Sequence, residues 1–217
     1  MPDYARPAAP GGDAPGSGGP GCPENLIIAV TGASGVVFAR ELLLAVEEDS
    51  RVKTVNFIAS DNALRVMVEE LGISGRGKLL EQLLTGKTAK IQQQNNDDIG
   101  ANVASGSYPA DAMVVIPCSM GTLARIANGM ANKLIERAAD VCLKERRPLV
   151  LCVRETPLNK IHIRNMGLAA DAGATIFPLI PAYYTKPESV EAMAREFANR
   201  VLAHIGWPQP GAFRWMG

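Results

Sequence analysis

Three short clusters in this chain carry hydroxyls, backbone donors and charges suited to an anionic ligand with a ring. Thr31-Gly32-Ala33-Ser34-Gly35 follows an apolar run and opens a helical pattern. Gly32 permits a tight turn, Ser34 offers a hydroxyl able to cap the helix, and free N–H groups at such a start favour a phosphate. The cluster is neither G-x-G-x-x-G nor G-x-x-x-x-G-K-[ST], so a plain strand-to-helix turn reads the same way here. Pro117-Cys118-Ser119-Met120-Gly121-Thr122 repeats the arrangement with two hydroxyls. It suits a ligand that joins a phosphate to a polar ring edge, or an ordinary capped helix. Arg154-Glu155-Thr156-Pro157 adds two opposite charges. Arg137 and Lys144 lie two helical turns apart on one face, so both can face one anion, although a solvated charged face is the usual reading of such a pair. Three cations and Glu155 on one rim would be harder to explain that way. Gly86-Lys87-Thr88 lacks the upstream glycine and strand of a P-loop and carries no weight.

These clusters end apolar runs that read as strands. The runs cover residues 26–30, 54–59, 113–117, 149–153 and 175–181, and they are followed by TGASG, SDN, PCSMGT, RETP and AYYTKP. Each is nearly continuous in Val, Ile or Leu rather than alternating, as in a strand buried on both faces of a parallel sheet. Helical patterns alternate with them at 34–48, 61–71, 123–128, 133–147, 160–172 and 188–205. That alternation predicts right-handed βαβ units, with ligands bound outside the carboxyl ends of the strands. In the last helix Val190, Met193, Ala194, Phe197, Val201 and Ile205 form one apolar stripe after a start at Pro187. Residues 72–107 break the rhythm, and 92–98 are wholly polar. A long polar excursion in a compact domain is usually functional or mobile.

The chain of 217 residues is 47% hydrophobic, enough for one sizeable α/β domain. Residues 1–24 are dominated by Pro, Gly, Ala and Ser and read as a disordered tail, with the domain over 25–207 and a short tail over 208–217. The formal net charge is zero with interspersed signs, which argues against a nucleic-acid or membrane-surface partner. No apolar stretch approaches the roughly 18 residues of a membrane span, and the start lacks the order of a secretory signal, so a cytoplasmic protein is expected. Cys22, Cys118, Cys142 and Cys152 show no C-x-x-C spacing and read as buried free thiols. His162 and His204 stand far apart, which argues against a metal site, and His162 reads as a surface or loop residue.

The stretch 26–205 resembles the flavin prenyltransferases, the UbiX-like family, in TGASG, in ASGSYPADAMVVIPCSMGTLARIANG, and above all in RAADVCLKERRPLVLCVRETPL. The resemblance implies a flavodoxin-like, Rossmann-related three-layer α/β sandwich with a parallel central sheet. It also implies a reaction in which the dimethylallyl group of dimethylallyl monophosphate is joined to N5 of reduced FMN and a fourth ring closes at C6. The product is prenylated FMN for a UbiD-type decarboxylase. Gly32, Ala33 and Ser34 match the first FMN-binding turn, Ser60 the serine after the second strand, Ser119, Met120, Gly121 and Thr122 the second turn, and Arg154 a further FMN contact. Tyr184, Arg200, Arg137 and Lys144 match the ligands of the prenyl phosphate, from different subunits of a homo-oligomer, typically a dodecamer. Glu70 and Glu155 match the acidic residues. Tyr183 beside Tyr184 leaves a one-residue ambiguity, and Tyr184 is preferred by its spacing to Arg200.

The chemistry suits these residue types. Breaking the allylic C–O bond leaves an electron-poor prenyl group and a phosphate dianion, so fixed donors must neutralise the leaving group. Arg137, Lys144, Arg200 and the Tyr184 hydroxyl meet that need, and the reduced flavin offers an electron-rich face. Closing the ring then requires loss of a proton, with Glu155 or a phosphate oxygen as base and Ser34 as a relay. A metal is unnecessary for a monophosphate already surrounded by cations. Asp61 stands where many relatives carry Lys, and 92–98 align poorly, which bears on the lid over the prenyl site. Two rivals are a flavoprotein that decarboxylates a cysteine-containing substrate and a non-catalytic FMN-binding subunit of a decarboxylase. The first is marked by an early histidine and a PxMNxxMW segment, and neither occurs here. Loss of Glu155, Lys144 or Tyr184 would favour the second, and all three are present.

Overall fold

The structure is a computed structural model that describes residues 24–213 apart from Ser74, Arg76, Thr85 and Lys87. Most of the predicted N-terminal tail, Cys22, Lys87 of the GKT triplet and the last four residues lie outside the described residues. The elements run β1 (Asn25–Val30), α1 (Val36–Glu48), β2 (Thr54–Ala59), α2 (Asp61–Leu71), α3 (Leu79–Leu84), β3 (Ile91–Asn95), a 3-10 turn (Asn102–Ala104), β4 (Ala112–Cys118), α4 (Met120–Ala127), α5 (Leu134–Lys144), β5 (Leu149–Val153), α6 (Lys160–Asp171), β6 (Thr175–Ile176) and α7 (Val190–His204).

All strand pairs are parallel, in the order β3-β2-β1-β4-β5-β6. Without the polar edge strand β3 this is the flavodoxin-like order, and with it the order of the doubly wound Rossmann sheet. Chain order reverses between β1 and β4, which leaves a crevice outside their carboxyl ends. Side chains of β1 alternate between two cores. Leu26, Ile28 and Val30 meet the layer of α1, α2, α3 and α7, while Ile27 and Ala29 meet the layer of α4, α5 and α6. Burial on both faces is why the strands read as unbroken apolar runs. Each large aliphatic side chain so buried contributes about 1.5–3 kcal/mol.

Helix starts follow side-chain capping. The hydroxyls of Ser60, Ser119 and Ser189 and the Asn159 amide oxygen accept from the N–H groups of Ala63, Thr122, Ala192 and His162. Such caps contribute about 1 kcal/mol each. Ser189 explains one correction: α7 begins at Val190, beyond the Pro187 start that its sequence suggests. His162 lies in the first turn of α6 as part of a capping box with Asn159.

Two expectations about strands are also corrected. The last apolar run pairs as a strand only over Thr175–Ile176, because Pro178 has no N–H to donate. Its neighbours keep contact with β5 through Phe177 N to Leu151 O, 2.9 Å, and Leu179 N to Val153 O, 2.8 Å. The excursion at 72–107 contains α3 and the sixth strand, β3, which is paired with β2 from Ile91↔Val55 to Asn95↔Ala59. Only Ile91 of this strand is buried, so its sequence shows no apolar signal. Polar edge strands resist pairing with other chains. The turn after β3 is structural as well: Asn96 accepts the Leu134 N–H on its backbone oxygen, 2.8 Å, and the Ile135 N–H on its side chain, 3.1 Å. It therefore caps α5, whose own N-cap residue Lys133 makes no side-chain cap.

Candidate active site

The carboxyl ends of the strands are stitched to one another by backbone and hydroxyl bonds. Thr31, 1% exposed, donates its N–H (3.2 Å) and its Oγ1 (2.9 Å) to Pro117 O, and its Oγ1 accepts from Ser119 N at 2.8 Å. Ser60 N donates to Val30 O at 3.0 Å, and Arg154 N donates to Cys118 O at 3.1 Å. The clusters after β1, β2, β4 and β5 therefore form one rim, as their sequence positions suggest. Thr31 fixes the spacing of the two turns on either side of the switch point. The sequence places Thr31 in the first cluster but does not reveal this role, because a threonine just after a strand has no distinctive signal.

In the first turn Gly35, at φ 107°, is the N-cap of α1 and has no side chain with which to cap it. This corrects the expectation for Ser34. The Gly35 N–H lies 3.0 Å from both Glu70 oxygens, and the Val36 N–H lies 2.9 Å from Glu70 Oε2. The anion at this helix start is thus a carboxylate of the chain itself, placed where the helix dipole favours negative charge. A phosphate is not free to take the same donors. Gly32 packs against α2, and a Cβ there would overlap the Asn62 Cβ.

In the second turn Ser119 Oγ accepts from Thr122 N (3.3 Å) and donates to Thr122 Oγ1 (3.2 Å). Beneath it Arg125 donates through Nη2 to Thr122 Oγ1 (3.4 Å) and through Nε to Glu136 Oε1 (2.6 Å). Glu136 is 3% exposed, so removing Arg125 would leave a buried carboxylate without its counter-ion. This pair was not foreseen, since its two members stand on different helices.

A cleft of about 460 Å³ opens beside this turn, lined by Met120, Arg154, Glu155, Leu158, Leu179 and Ile180 among others. Glu155 is exposed, and its Oε1 accepts from Thr156 N at 3.0 Å. The two charges thus stand at the edge of an otherwise apolar recess.

The remaining predicted residues lie elsewhere. Arg137 donates to Ala104 O (3.2 Å) and Asp140 Oδ2 (2.7 Å), and Lys144 pairs with Glu145 over Gly106. Both line the loop before β4, at the amino end of the sheet. The Lys144–Glu145 contact, with Arg147 nearby, holds the Glu145 carboxyl below its usual range. Five-residue β5, roughly 16 Å long at about 3.3 Å per residue, separates Lys144 from Arg154. The expected convergence of three cations and Glu155 on one rim therefore does not occur within a chain. Tyr184 and Arg200 do meet, around a cavity of about 220 Å³ on the α7 side, and Tyr183 lines a different recess.

Cys118, Cys142 and Cys152 are free and buried, as expected. Burial pushes the Cys118 and Cys142 thiols up to about 12 and Cys152 well above its usual value. None is a thiolate nucleophile at neutral pH. Among the described residues no group of three or more His, Cys, Asp or Glu is placed to hold a metal ion.

The family model described as Flavoprotein matches residues 22–199. The flavin prenyltransferase UbiX of Pseudomonas aeruginosa is 40% identical over 199 residues, covering 89% of this chain and 94% of that protein. Among solved structures, AnUbiX (PadA1) in complex with FMN and dimethylallyl pyrophosphate superposes with a TM-score of 0.79 at 37% identity, covering 90% of this chain and 98% of that one. A dodecameric FMN-dependent UbiX-like decarboxylase from Escherichia coli gives a TM-score of 0.79 at 38% identity, covering 89% and 100%. With a parallel sheet whose strand ends form one donor-rich rim, and with this identity along nearly its whole length, the chain belongs to the flavin prenyltransferase UbiX family of flavoproteins.

Proposed function

We propose that this protein transfers the dimethylallyl group of dimethylallyl monophosphate to N5 and C6 of reduced FMN, making prenylated FMN. The observation that carries the reading is that Arg154 and Glu155 both line an apolar cleft beside the Ser119–Met120 turn. The residues fit a flavin: the cleft, about 460 Å³, lies within the roughly 300–1,000 Å³ of ligand sites, and its apolar walls suit a flat ring. Gly32, Ala33, Ser34, Ser60, Arg154 and the turn from Ser119 to Thr122 would hold it. When bound, reduced FMN supplies the electron-rich ring that accepts the prenyl group.

Around that ring the side chains divide the work. Arg137, Lys144, Arg200 and the Tyr184 hydroxyl neutralise the departing phosphate, where fixed charge is most effective. Glu155 accepts the proton released on ring closure, Ser34 relays it toward the phosphate, and Glu70 keeps the first turn in place. No step requires a metal.

These groups lie in separate parts of one chain, so the working site draws on a neighbouring copy. Exposed apolar residues on and beside α6 support a homo-oligomer: Leu158 is 44% exposed, Ile161 67%, Ile163 57% and Ile180 69%. The Escherichia coli relative is described as dodecameric, and the same assembly is proposed here. No helix among the described residues is long and apolar enough to cross a membrane. A cytoplasmic catalytic domain that begins near residue 25 and supplies its product to a UbiD-type decarboxylase completes the reading.

Anaerobic incubation with reduced FMN and dimethylallyl monophosphate, followed by mass spectrometry of the extracted flavin, tests it. The expected result is gain of one five-carbon unit, lost in Glu155→Gln. Tightly bound but unmodified FMN would support a flavin-carrying subunit instead.

A further inference from the structure

Beyond α7 the described residues turn back across the body of the protein and reach the Tyr184–Arg200 cavity at Phe213. Trp207 is fully buried and donates its backbone N–H to Leu202 O at 2.8 Å. The next two residues are pinned to the turn after α1. Arg51 Nη2 donates to Pro208 O at 3.1 Å, and Gln209 Nε2 donates to Asp49 Oδ2 at 2.9 Å. Asp49 is itself held by Arg51, whose Nε lies 2.9 Å from Oδ1 and whose Nη2 lies 2.6 Å from Oδ2. From this anchor the chain brings Phe213 against Tyr184, with ring centroids 5.2 Å apart and planes tilted by 51°. Such a pair contributes attraction beyond its buried area.

Phe213 thereby becomes part of the wall of a cavity it shares with Ala182, Tyr184, Glu196, Phe197 and Arg200. Arg200, the one cation among the lining residues, stands with Tyr184, Thr185 and the Glu196 carboxylate as the polar part of the wall, and the two phenylalanines with Ala182 give the cavity an apolar side. Its volume, about 220 Å³, is below the roughly 300–1,000 Å³ of ordinary ligand sites. A small phosphate ester with a short apolar tail matches that size and that division of polarity. A longer tail does not.

We propose that Phe213 is a specificity-determining residue: held against Tyr184 by the pinned C-terminal strap, its ring closes the cavity and restricts the prenyl donor to a short chain. The inference rests on the reading of this cavity as the site of the prenyl phosphate. It adds a residue of the C-terminal segment to the donor site and a reason for the size limit. Phe213 is 45% exposed and stands at the rim rather than in the core, so its replacement leaves the fold intact.

Wild-type protein, Phe213→Ala, Phe213→Leu and Gln209→Ala are compared with dimethylallyl monophosphate and geranyl monophosphate, which carries a ten-carbon tail. Flavin products are read by mass spectrometry, and binding of each phosphate by calorimetry. Phe213→Ala is expected to raise the geranyl-to-dimethylallyl ratio of kcat/KM at least tenfold and to tighten geranyl monophosphate binding. Phe213→Leu and the strap variant Gln209→Ala should shift both in the same direction by less. An unchanged ratio in Phe213→Ala overturns the inference. If neither donor modifies FMN in the wild type, the transferase reading falls while calorimetry still decides this one: equal binding of geranyl monophosphate by wild type and Phe213→Ala overturns it, and tighter binding by the variant upholds it.

Discussion

Glu70, near the end of α2, caps the amino end of α1 through Gly35, whose N–H lies 3.0 Å from both carboxylate oxygens. A helix start next to a ligand-binding turn usually offers its donors to the ligand, but here one carboxylate takes two of them. Replacing Glu70 with Ala should therefore cost about 1–2 kcal/mol of stability, the range of a lost cap with its dipole interaction. Glu70→Gln, which keeps an acceptor and loses the charge, should cost less. Thermal melting ranks the three proteins. Titration with FMN should show weaker binding in Glu70→Ala, because the turn at 31–35 loses its fixed end. Equal melting temperatures would show that the cap contributes nothing.

Two glycines near the proposed ligands should respond differently to alanine. At Gly32 the added Cβ meets the Cβ and backbone of Asn62, which cannot swing aside, so Gly32→Ala should cost about 1–3 kcal/mol and weaken flavin binding. At Gly106 it meets the tips of Glu145 and Lys144, which can move. Gly106→Ala should melt within about 1 kcal/mol of wild type, as most substitutions outside the core do, yet raise the KM for the prenyl phosphate by displacing Lys144. Melting curves and steady-state kinetics on both variants separate the two effects.

The anchor of the C-terminal strap carries a pH dependence. The Arg51 guanidinium, opposed by burial and helped by the Gln209 amide, holds the Asp49 carboxyl well below its ordinary value of 3.8. A carboxyl with a depressed folded-state pKa stabilises the protein above its unfolded value, and that contribution fades as pH falls toward the folded one. Asp49→Asn should thus lower stability at pH 7 by about 1–3 kcal/mol, the range for a charge-assisted hydrogen-bonded group. The gap between the two proteins should be constant from pH 7 to about pH 5 and shrink progressively below that. A gap that widens with acid would contradict the assignment. Chemical denaturation of both proteins across pH 2–7 measures it.

The parallel sheet is legible in the sequence because its central strands are buried on both faces and show it as unbroken apolar runs. β3 is hidden for the opposite reason: at the edge, only Ile91 needs to be apolar. Motif spacing locates both turns of the rim, since their glycines and hydroxyls are dictated by local backbone. It does not reveal that Glu70 occupies the first helix start, a contact between residues 35 apart in the chain that no local pattern encodes. Nor does helical periodicity show which element Arg137 and Lys144 face. They share one side of α5, as their spacing requires, but that side meets the loop at 104–107 rather than the strand ends. Phe213 was invisible for a similar reason, because its role depends on where Asp49 and Arg51 fasten the chain.

The separation of Lys144 from Arg200 yields the sharpest test of an assembled site. Lys144 lies over Gly106 beside the α4–α5–α6 layer, and Arg200 lies on α7 in the opposite layer. If one prenyl phosphate needs both, they come from two copies in a symmetric oligomer. Lys144→Ala and Arg200→Ala should then each be inactive alone. Unfolded and refolded together in equal amounts, they should regain activity. A site takes an intact Lys144 from one copy with a chance of one half and an intact Arg200 from the other with the same chance, so about one quarter of the sites are whole in a randomly mixed oligomer. Prenylation at roughly that fraction of the wild-type rate is the expected outcome. No recovery, in mixtures shown by native mass spectrometry to contain both variants, would mean that each site is built within a single chain.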